Sequence, residues 1–141
     1  MKAYTNTTDK PHIVAIDDSP IILSFLSNFL KERFEVTTFR STSEALKHLT
    51  EGIIMPDCVV TDYHLRNDLS GLEFTQELKQ VDPILPVLVL SGSCNMNEKI
   101  QCLQSGAVDF VSKPFNPMEL NVRIANAIAL NPQRNQYRHA V

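Results

Sequence analysis

Asp17 and Asp18 close an apolar run that begins at Ile13, and Asp62 closes another that begins at Cys58. Two further polar residues stand at the ends of similar runs: Ser91 after Val87–Leu90, and Lys113 shortly after Val108–Val111. Singly, each has a structural explanation, since Asp and Ser commonly cap helices and Lys is usually a solvated surface residue. As a set they carry chemistry. Carboxylates crowded into one place raise the pKa of at least one of them and oppose folding unless a cation intervenes. Three Asp and one Lys leave two negative charges, which a divalent ion cancels. Carboxylate oxygens with room for water are the hard ligands magnesium prefers, and magnesium normally sits on one or two carboxylates plus a phosphate. A remaining carboxylate is then available as a nucleophile toward phosphorus, as in aspartyl-phosphate chemistry.

The set exists only if the chain brings these residues together. Short β-branched and aliphatic runs at Ile13–Ile16, Val36–Phe39, Cys58–Thr61, Val87–Leu90 and Val108–Val111 read as five strands, each followed by a helical segment. Helix starts are marked by Ser19-Pro20 and Asn116-Pro117, an N-cap followed by proline, and by Ser41 with Glu44 and Ser70 with Glu73 at capping-box spacing. Gly106 follows the fourth helical segment, where a left-handed residue commonly ends a helix. Continuous apolar strands alternating with helices predict an α/β, doubly wound fold: a five-stranded parallel sheet with helices on both faces. Ligands in such sheets collect beyond the carboxyl ends of the strands, where Asp17, Asp18, Asp62, Ser91 and Lys113 fall. Residues 1–11 and 132–141 lie outside this pattern and read as polar tails, the second also as the start of a linker, with one domain over 12–131.

The 141-residue length fits one domain, and 43% apolar with 21% charged residues is ordinary for a globular protein. A net charge of -3 provides no positive field for nucleic acid or anionic lipid. No apolar stretch approaches the ~20 residues of a membrane span, and the polar N-terminus lacks a signal-peptide core, so a cytoplasmic location is expected. Cys58, Cys94 and Cys102 form an odd set with no C-x-x-C pair, which argues against disulfides or zinc and for small buried hydrophobes. Four glycines at 52, 71, 92 and 106 cannot make a G-x-G-x-x-G or P-loop motif.

Four motifs, Val14-Ala15-Ile16-Asp17-Asp18-Ser19, Val59-Val60-Thr61-Asp62-Tyr63, Leu88-Val89-Leu90-Ser91-Gly92 and Asp109-Phe110-Val111-Ser112-Lys113-Pro114-Phe115, follow one another on matching elements. In this order the chain resembles the receiver domains of two-component response regulators, like the single-domain chemotaxis regulator, over about residues 12 to 130. The resemblance implies a flavodoxin-like strand order 2-1-3-4-5. It implies Asp62 as phosphoryl acceptor, Asp18 as a direct Mg2+ ligand, Asp17 acting on the metal mainly through water, and the backbone carbonyl of His64 as a further ligand. The imidazole of His64 is read as facing solvent, because magnesium prefers oxygen. Ser91 and Lys113 match the residues that contact phosphoryl oxygens, and Ser91 and Phe110 the switch pair. Implied partners are a histidine kinase or histidine phosphotransfer protein as donor and a downstream output protein or domain, with no direct nucleic-acid or membrane contact.

Two departures from the family pattern stand out. Arg66 replaces a proline usual four residues after the acceptor, and Asn67-Asp68-Leu69-Ser70-Gly71 makes that loop about one residue longer. Phe110 lacks the hydroxyl of a tyrosine found in some relatives, so any switch, with the ring turning in on phosphorylation, is expected to work by packing and volume without a new hydrogen bond. Two other classes compete: an aspartyl-nucleophile phosphohydrolase of the haloacid dehalogenase type, whose D-x-D signature is missing since His64 follows Asp62 by two and Ser19 follows Asp17 by two, and a receiver-like module that binds partners without being phosphorylated. In the fifth helix, Pro117–Leu130, one apolar stripe runs through Leu120, Ile124, Ala127 and Ile128, and a second through Met118, Val122, Ala125 and Ala129. The combined face is wider than packing on a sheet requires; either its alanines simply favour the helix, or the second stripe is an association surface, as the resemblance to receiver domains implies for the face of the fourth helix, fifth strand and fifth helix, including for a homodimer.

Overall fold

The computed structural model describes residues 10–92 and 95–130. Strands and helices alternate as β1 (His12–Ile16), α1 (Pro20–Leu30), β2 (Glu35–Phe39), α2 (Thr42–Thr50), β3 (Cys58–Asp62), α3 (Gly71–Val81), β4 (Val87–Ser91), α4 (Met96–Gln104), β5 (Asp109–Ser112) and α5 (Pro117–Ala129). All strand pairs are parallel, in the order β2-β1-β3-β4-β5. The fold is therefore the five-stranded, doubly wound α/β sheet that the alternating runs predict. Pro11 extends the paired region, its carbonyl accepting the Glu35 N–H. Cys58 and Cys102 are buried free thiols, while Cys94 and the tails 1–9 and 131–141 lie outside the described residues.

Strand side chains alternate between two apolar layers, as the period-2 geometry of a strand demands. Val14, Ile16, Val59, Val87, Val89 and Phe110 face Ala45, Phe74, Leu78 and Cys102 of α2, α3 and α4. Ile13, Ala15, Val60, Leu88, Leu90 and Val111 face Leu23, Leu26 and Leu30 of α1 and Leu120, Ile124 and Ala127 of α5. Because both faces are covered, the central strands carry nearly continuous apolar residues, and apart from the buried Thr61 of β3 their polar side chains lie at the strand ends.

Each helix start is chemically fixed, which fixes the loop before it. Ser19 accepts the Ile22 N–H with Pro20 at the first turn, Ser41 accepts the Glu44 N–H, and Ser70 with Glu73 forms a reciprocal capping box. Asn95 and Asn116 each accept two backbone N–H groups of α4 and α5. Such a cap is typically worth about 1 kcal/mol, so together they hold the loops at the carboxyl edge of the sheet in register with the helices.

The longer loop between β3 and α3 is tied at several points. Asn67 takes a left-handed conformation with φ 55°. The Asp68 carboxylate accepts the Ser41 hydroxyl at 2.7 Å, the Ser43 N–H at 3.2 Å, the Ser43 hydroxyl and the Leu69 N–H at 2.8 Å. Thr42 donates to the Leu69 carbonyl at 2.7 Å. Burial would raise the Asp68 pKa, but the Ser43 and Ser41 hydroxyls and the Leu69 N–H outweigh it and lower it to about 2. The loop is thus fastened to the first turn of α2 throughout the physiological pH range.

Gly71 closes the loop under a tight steric limit. Its N–H donates to the Tyr63 carbonyl at 2.7 Å, and a Cβ there would stand 2.7 Å from the Asp62 carbonyl oxygen and 3.0 Å from the Tyr63 Cα. Both neighbours are backbone, so nothing flexible can yield. Gly71→Ala is expected to lower stability by about 1–3 kcal/mol, the usual cost of overpacking, read as an earlier urea midpoint with unchanged slope. An unaltered midpoint would show that α3 can retreat from β3 without cost.

Candidate functional site

Strand register sets the site. Ile16 pairs with Thr61, so the next residues along, Asp17 and Asp62, reach the carboxyl edge side by side on neighbouring strands. Asp62 is level with Leu90 and Ser91 with Ser112, which puts Ser91 and Lys113 on the other flank of Asp62. The Lys113 N–H donates to the Ser91 carbonyl at 2.7 Å, continuing the ladder one residue past β5. A cis peptide bond joins Lys113 to Pro114. This edge lies where the connections diverge, β1 leading to β2 at one side of the sheet and β3 to β4 toward the other, the position at which doubly wound sheets hold ligands.

Ligand oxygens of Asp17, Asp18 and Asp62 all lie within 4.8 Å of one another, and among the described residues these three form the acidic cluster compact enough to hold an ion. Lys113 bridges it, with Nζ 2.8 Å from Asp62 Oδ1 and 3.6 Å from Asp17 Oδ2. Asp17 is 2% exposed and Asp62 9%, whereas Asp18 is half-buried. Ser91 is fully buried. His64 is exposed, its ring set edge-on to Tyr63 with centroids 4.6 Å apart, and its imidazole is not part of the acidic cluster.

The residues fit a hard divalent cation. Oxygens on one magnesium, at about 2.1 Å from the ion, are about 3 Å apart when adjacent and about 4.2 Å when opposite. Three oxygens within 4.8 Å of one another are close enough for one ion to be shared among them directly or through its bound water. Asp17 supplies a second indication: Oδ1 accepts the Ser19 N–H at 2.9 Å, but the buried Oδ2 accepts no hydrogen bond and has only the Lys113 ammonium at 3.6 Å. A buried carboxylate oxygen without a hydrogen bond is costly, and a cation or its water shell would lower that cost.

Several contacts around the site were not readable from sequence. Arg66 donates its backbone N–H to Asp18 Oδ2 at 3.2 Å and brings its guanidinium Nε to 3.6 Å from the same oxygen. Arg40 donates to the Asp18 carbonyl from Nε at 3.3 Å and Nη2 at 3.2 Å. Asp109 accepts the Phe110 N–H at 2.9 Å and pairs with Arg123 at 2.7 Å, which also pairs with Glu119, tying β5 to α5. Charged residues four apart on a helix do signal such a pair, as Glu119 and Arg123 do. The reach from Arg66 to Asp18 crosses 48 residues and has no local signature.

Phe110 is 7% exposed, in the layer with Val89, Cys102 and Ala107. On α5, Leu120, Ile124 and Ala127 are buried, while Met118 at 59% and Val122 at 50% are exposed. Asn121, grouped with neither stripe, is also buried, and its Oδ1 has no hydrogen-bond partner.

Electrostatics at the edge have a direct consequence for stability. Burial raises the Asp17 pKa above 3.8, the Ser19 N–H opposes this, and Asp62 and Asp18 push the same way as burial. A carboxyl whose pKa is higher folded than unfolded destabilises the fold above its folded pKa, and the penalty fades as pH falls through that value toward 3.8. Metal-free Asp17→Asn is therefore expected to melt at higher temperature than the parent at neutral pH, with the gain shrinking on acidification. A lower melting temperature for Asp17→Asn in EDTA at neutral pH would contradict this.

Comparison with known proteins agrees with the geometry. A family model described as the response regulator receiver domain matches residues 13–125. The transcriptional regulatory protein PhoP for alkaline phosphatase synthesis, from Bacillus subtilis, is 34% identical over 114 residues, 79% of this chain and 46% of PhoP, so the chain spans about half the length of that relative. A response regulator receiver domain from Clostridium thermocellum superposes with a TM-score of 0.81 at 31% identity, covering 87% of this chain and 98% of the other. The BeF3-activated DrrB receiver domain superposes at 0.76 with 28% identity, covering 85% and 98%. Among the described residues no helix is long and apolar enough to cross a membrane. With Asp17, Asp18, Asp62, Ser91 and Lys113 gathered at one sheet edge and the family model running from β1 into α5, the chain belongs to the response regulator receiver domains of two-component signalling.

Proposed function

We propose that this chain accepts a phosphoryl group on Asp62 from a phosphohistidine of a histidine kinase or phosphotransfer protein, with Mg2+ held by Asp18, Asp62, the His64 carbonyl and, through water, Asp17. The observation that carries the reading is the Lys113 ammonium 2.8 Å from Asp62 Oδ1 inside a carboxylate triad. Such a group leaves one Asp62 oxygen paired and oriented while the other is free to approach phosphorus. When bound, Mg2+ supplies positive charge against the phosphoryl oxygens and cancels the triad's repulsion.

The chain's own residues do the rest by positioning. An Asp62 oxygen bonds to phosphorus as the phosphorus–nitrogen bond of the donor breaks, and the departing imidazole keeps the electron pair and takes a proton. Lys113, already on Asp62, follows the charge onto a phosphoryl oxygen. Ser91, at the end of β4 beside Asp62, offers its hydroxyl to another. The similar DrrB receiver domain is in a BeF3-activated form, and a fluoroberyllate on an aspartate mimics the same acyl phosphate. Acetyl phosphate or phosphoramidate with Mg2+ should add one phosphoryl group to the intact mass, and Asp62→Asn should remove the adduct. Stoichiometric labelling that persists in Asp62→Asn would overturn the assignment. Rapid turnover of a generic phosphomonoester without a lasting adduct would instead favour the phosphohydrolase.

Phosphorylation would act through packing: a phosphoryl group that engages Ser91 draws β4 toward Asp62 and favours the arrangement in which Phe110 on β5 turns in, a population shift whose size follows the difference in contacts. The output surface lies outside: Met118 and Val122 on α5, Val108 before β5, and Ile100 and Leu103 on α4 are all exposed. Arg123 pairs with Asp109 across this face, giving an apolar patch with a charged centre suited to a second copy or an output protein. Sedimentation at several concentrations is expected to show stronger association with beryllofluoride, reduced by Val122→Glu without loss of helical signal. A monomer in both states would remove self-association from the reading.

A further inference from the structure

Asp18 faces a cation supplied by its own chain. Arg66 approaches Asp18 Oδ2 twice, by its N–H at 3.2 Å and by Nε at 3.6 Å. Its backbone is held on both sides. Leu65 before it is 7% exposed in the core, and Asp68 after it is bound to the first turn of α2 through Ser41 and Ser43. The side chain itself is 93% exposed. Arg66 thus has a fixed root and a free head, positioned at the least buried member of the triad. Lys113 serves the other end, on Asp62 and Asp17. Together the two cations leave the three carboxylates one charge short of balance without any metal, and a divalent ion arriving beside both would reverse the sign of the site.

We propose that Arg66 is an affinity-determining residue, a tethered counter-ion that engages Asp18 in the metal-free protein and competes with the divalent ion for that carboxylate. The inference rests on the reading of Asp17, Asp18 and Asp62 as a metal site. Of the two cations, Arg66 is the one that yields. Its guanidinium is solvated, so leaving Asp18 exposes it to little that it does not already contact, whereas Lys113 is half-buried between two carboxylates. Exposed pairs of this kind are weak, which makes the competition modest: loss of the guanidinium should tighten metal binding by about two- to five-fold. A chain with a neutral residue at this position would load at lower metal concentration, so Arg66 sets the threshold at which the site becomes competent.

Mn2+ is a suitable probe because carboxylates bind it as they do Mg2+ and its free form gives an electron paramagnetic resonance signal. Titrations of the full chain at constant ionic strength compare the parent with Arg66→Ala, Arg66→Lys, Arg40→Ala and Asp18→Ala. Arg40 is the control for a general field effect: it lies equally close to residue 18 but bonds the carbonyl, not the carboxylate. Arg66→Ala is expected to lower the Mn2+ Kd by at least two-fold and by clearly more than Arg40→Ala, with Arg66→Lys near the parent. An unchanged or raised Kd in Arg66→Ala, or equal gains from Arg66→Ala and Arg40→Ala, would overturn the proposal while leaving the metal site intact. Indistinguishable weak binding by the parent and Asp18→Ala would overturn the metal site and this inference with it. Circular dichroism melts of each variant verify that the compared proteins are folded.

Discussion

Mutual repulsion among Asp17, Asp18 and Asp62 is the constraint around which the carboxyl edge of this sheet is built. Three carboxylates within 4.8 Å would drive their loops apart if the backbone could move. The backbone is instead locked by parallel pairing through β1, β3 and β4 and by side-chain caps at Ser19 and Ser70. The strain is met by cations. Lys113 spans Asp62 and Asp17, and Arg66 leans on Asp18. What remains without a hydrogen bond is the buried Asp17 Oδ2, with Lys113 only at 3.6 Å. On the proposed reading, the uncompensated negative charge that weakens the site is what would draw in Mg2+, and the ion's positive charge would in turn offset that of the phosphoryl oxygens.

Local tightness then gives the site its leverage over the rest of the molecule. Asp62 sits between the α2–α3–α4 layer and the α1–α5 layer, and Gly71 packs directly on its carbonyl. Ser91 and Phe110 lie on the two strands that follow in the sheet, and Phe110 is bonded through its own N–H to Asp109, which holds Arg123 on α5. On the proposed reading, a change at Asp62 would reach the α4–β5–α5 surface through these adjoining strands and the Asp109–Arg123 ion pair. Interiors packed at this density respond by switching between arrangements and deform little.

The fold and the five central site residues are legible in the sequence because both follow from periodicity. Continuous apolar runs mark buried parallel strands, and polar residues at their carboxyl ends must share one edge; Asp17, Asp18, Asp62, Ser91 and Lys113 need no more than that. The apolar run starts β5 one residue early, at Val108, whose exposure shows that a β-branched residue before a strand looks the same as one within it. Loop conformation carries no such signal. That Asp68 reaches back to α2, that Arg66 meets Asp18 and that Arg40 holds its carbonyl all depend on how Asn67 turns the chain. Alternation assigns Phe110 to the face it shares with Val89 and Cys102, but says nothing of how its ring is turned. Asn121 breaks the pattern in the other direction, a polar residue buried on α5 where the helical period alone would expect an apolar one.

Thermal denaturation of the intact chain as a function of Mg2+ concentration tests the central claim most directly, because a ligand that binds only the folded triad must raise stability by mass action. The account predicts a melting temperature that is lowest in EDTA and climbs with the logarithm of Mg2+ once its concentration exceeds the dissociation constant, while monovalent salt at matched ionic strength leaves most of that rise unreproduced. A melting temperature indifferent to Mg2+ up to tens of millimolar, or an equal rise with NaCl, would show that the three carboxylates are balanced by the chain alone and are not a metal site.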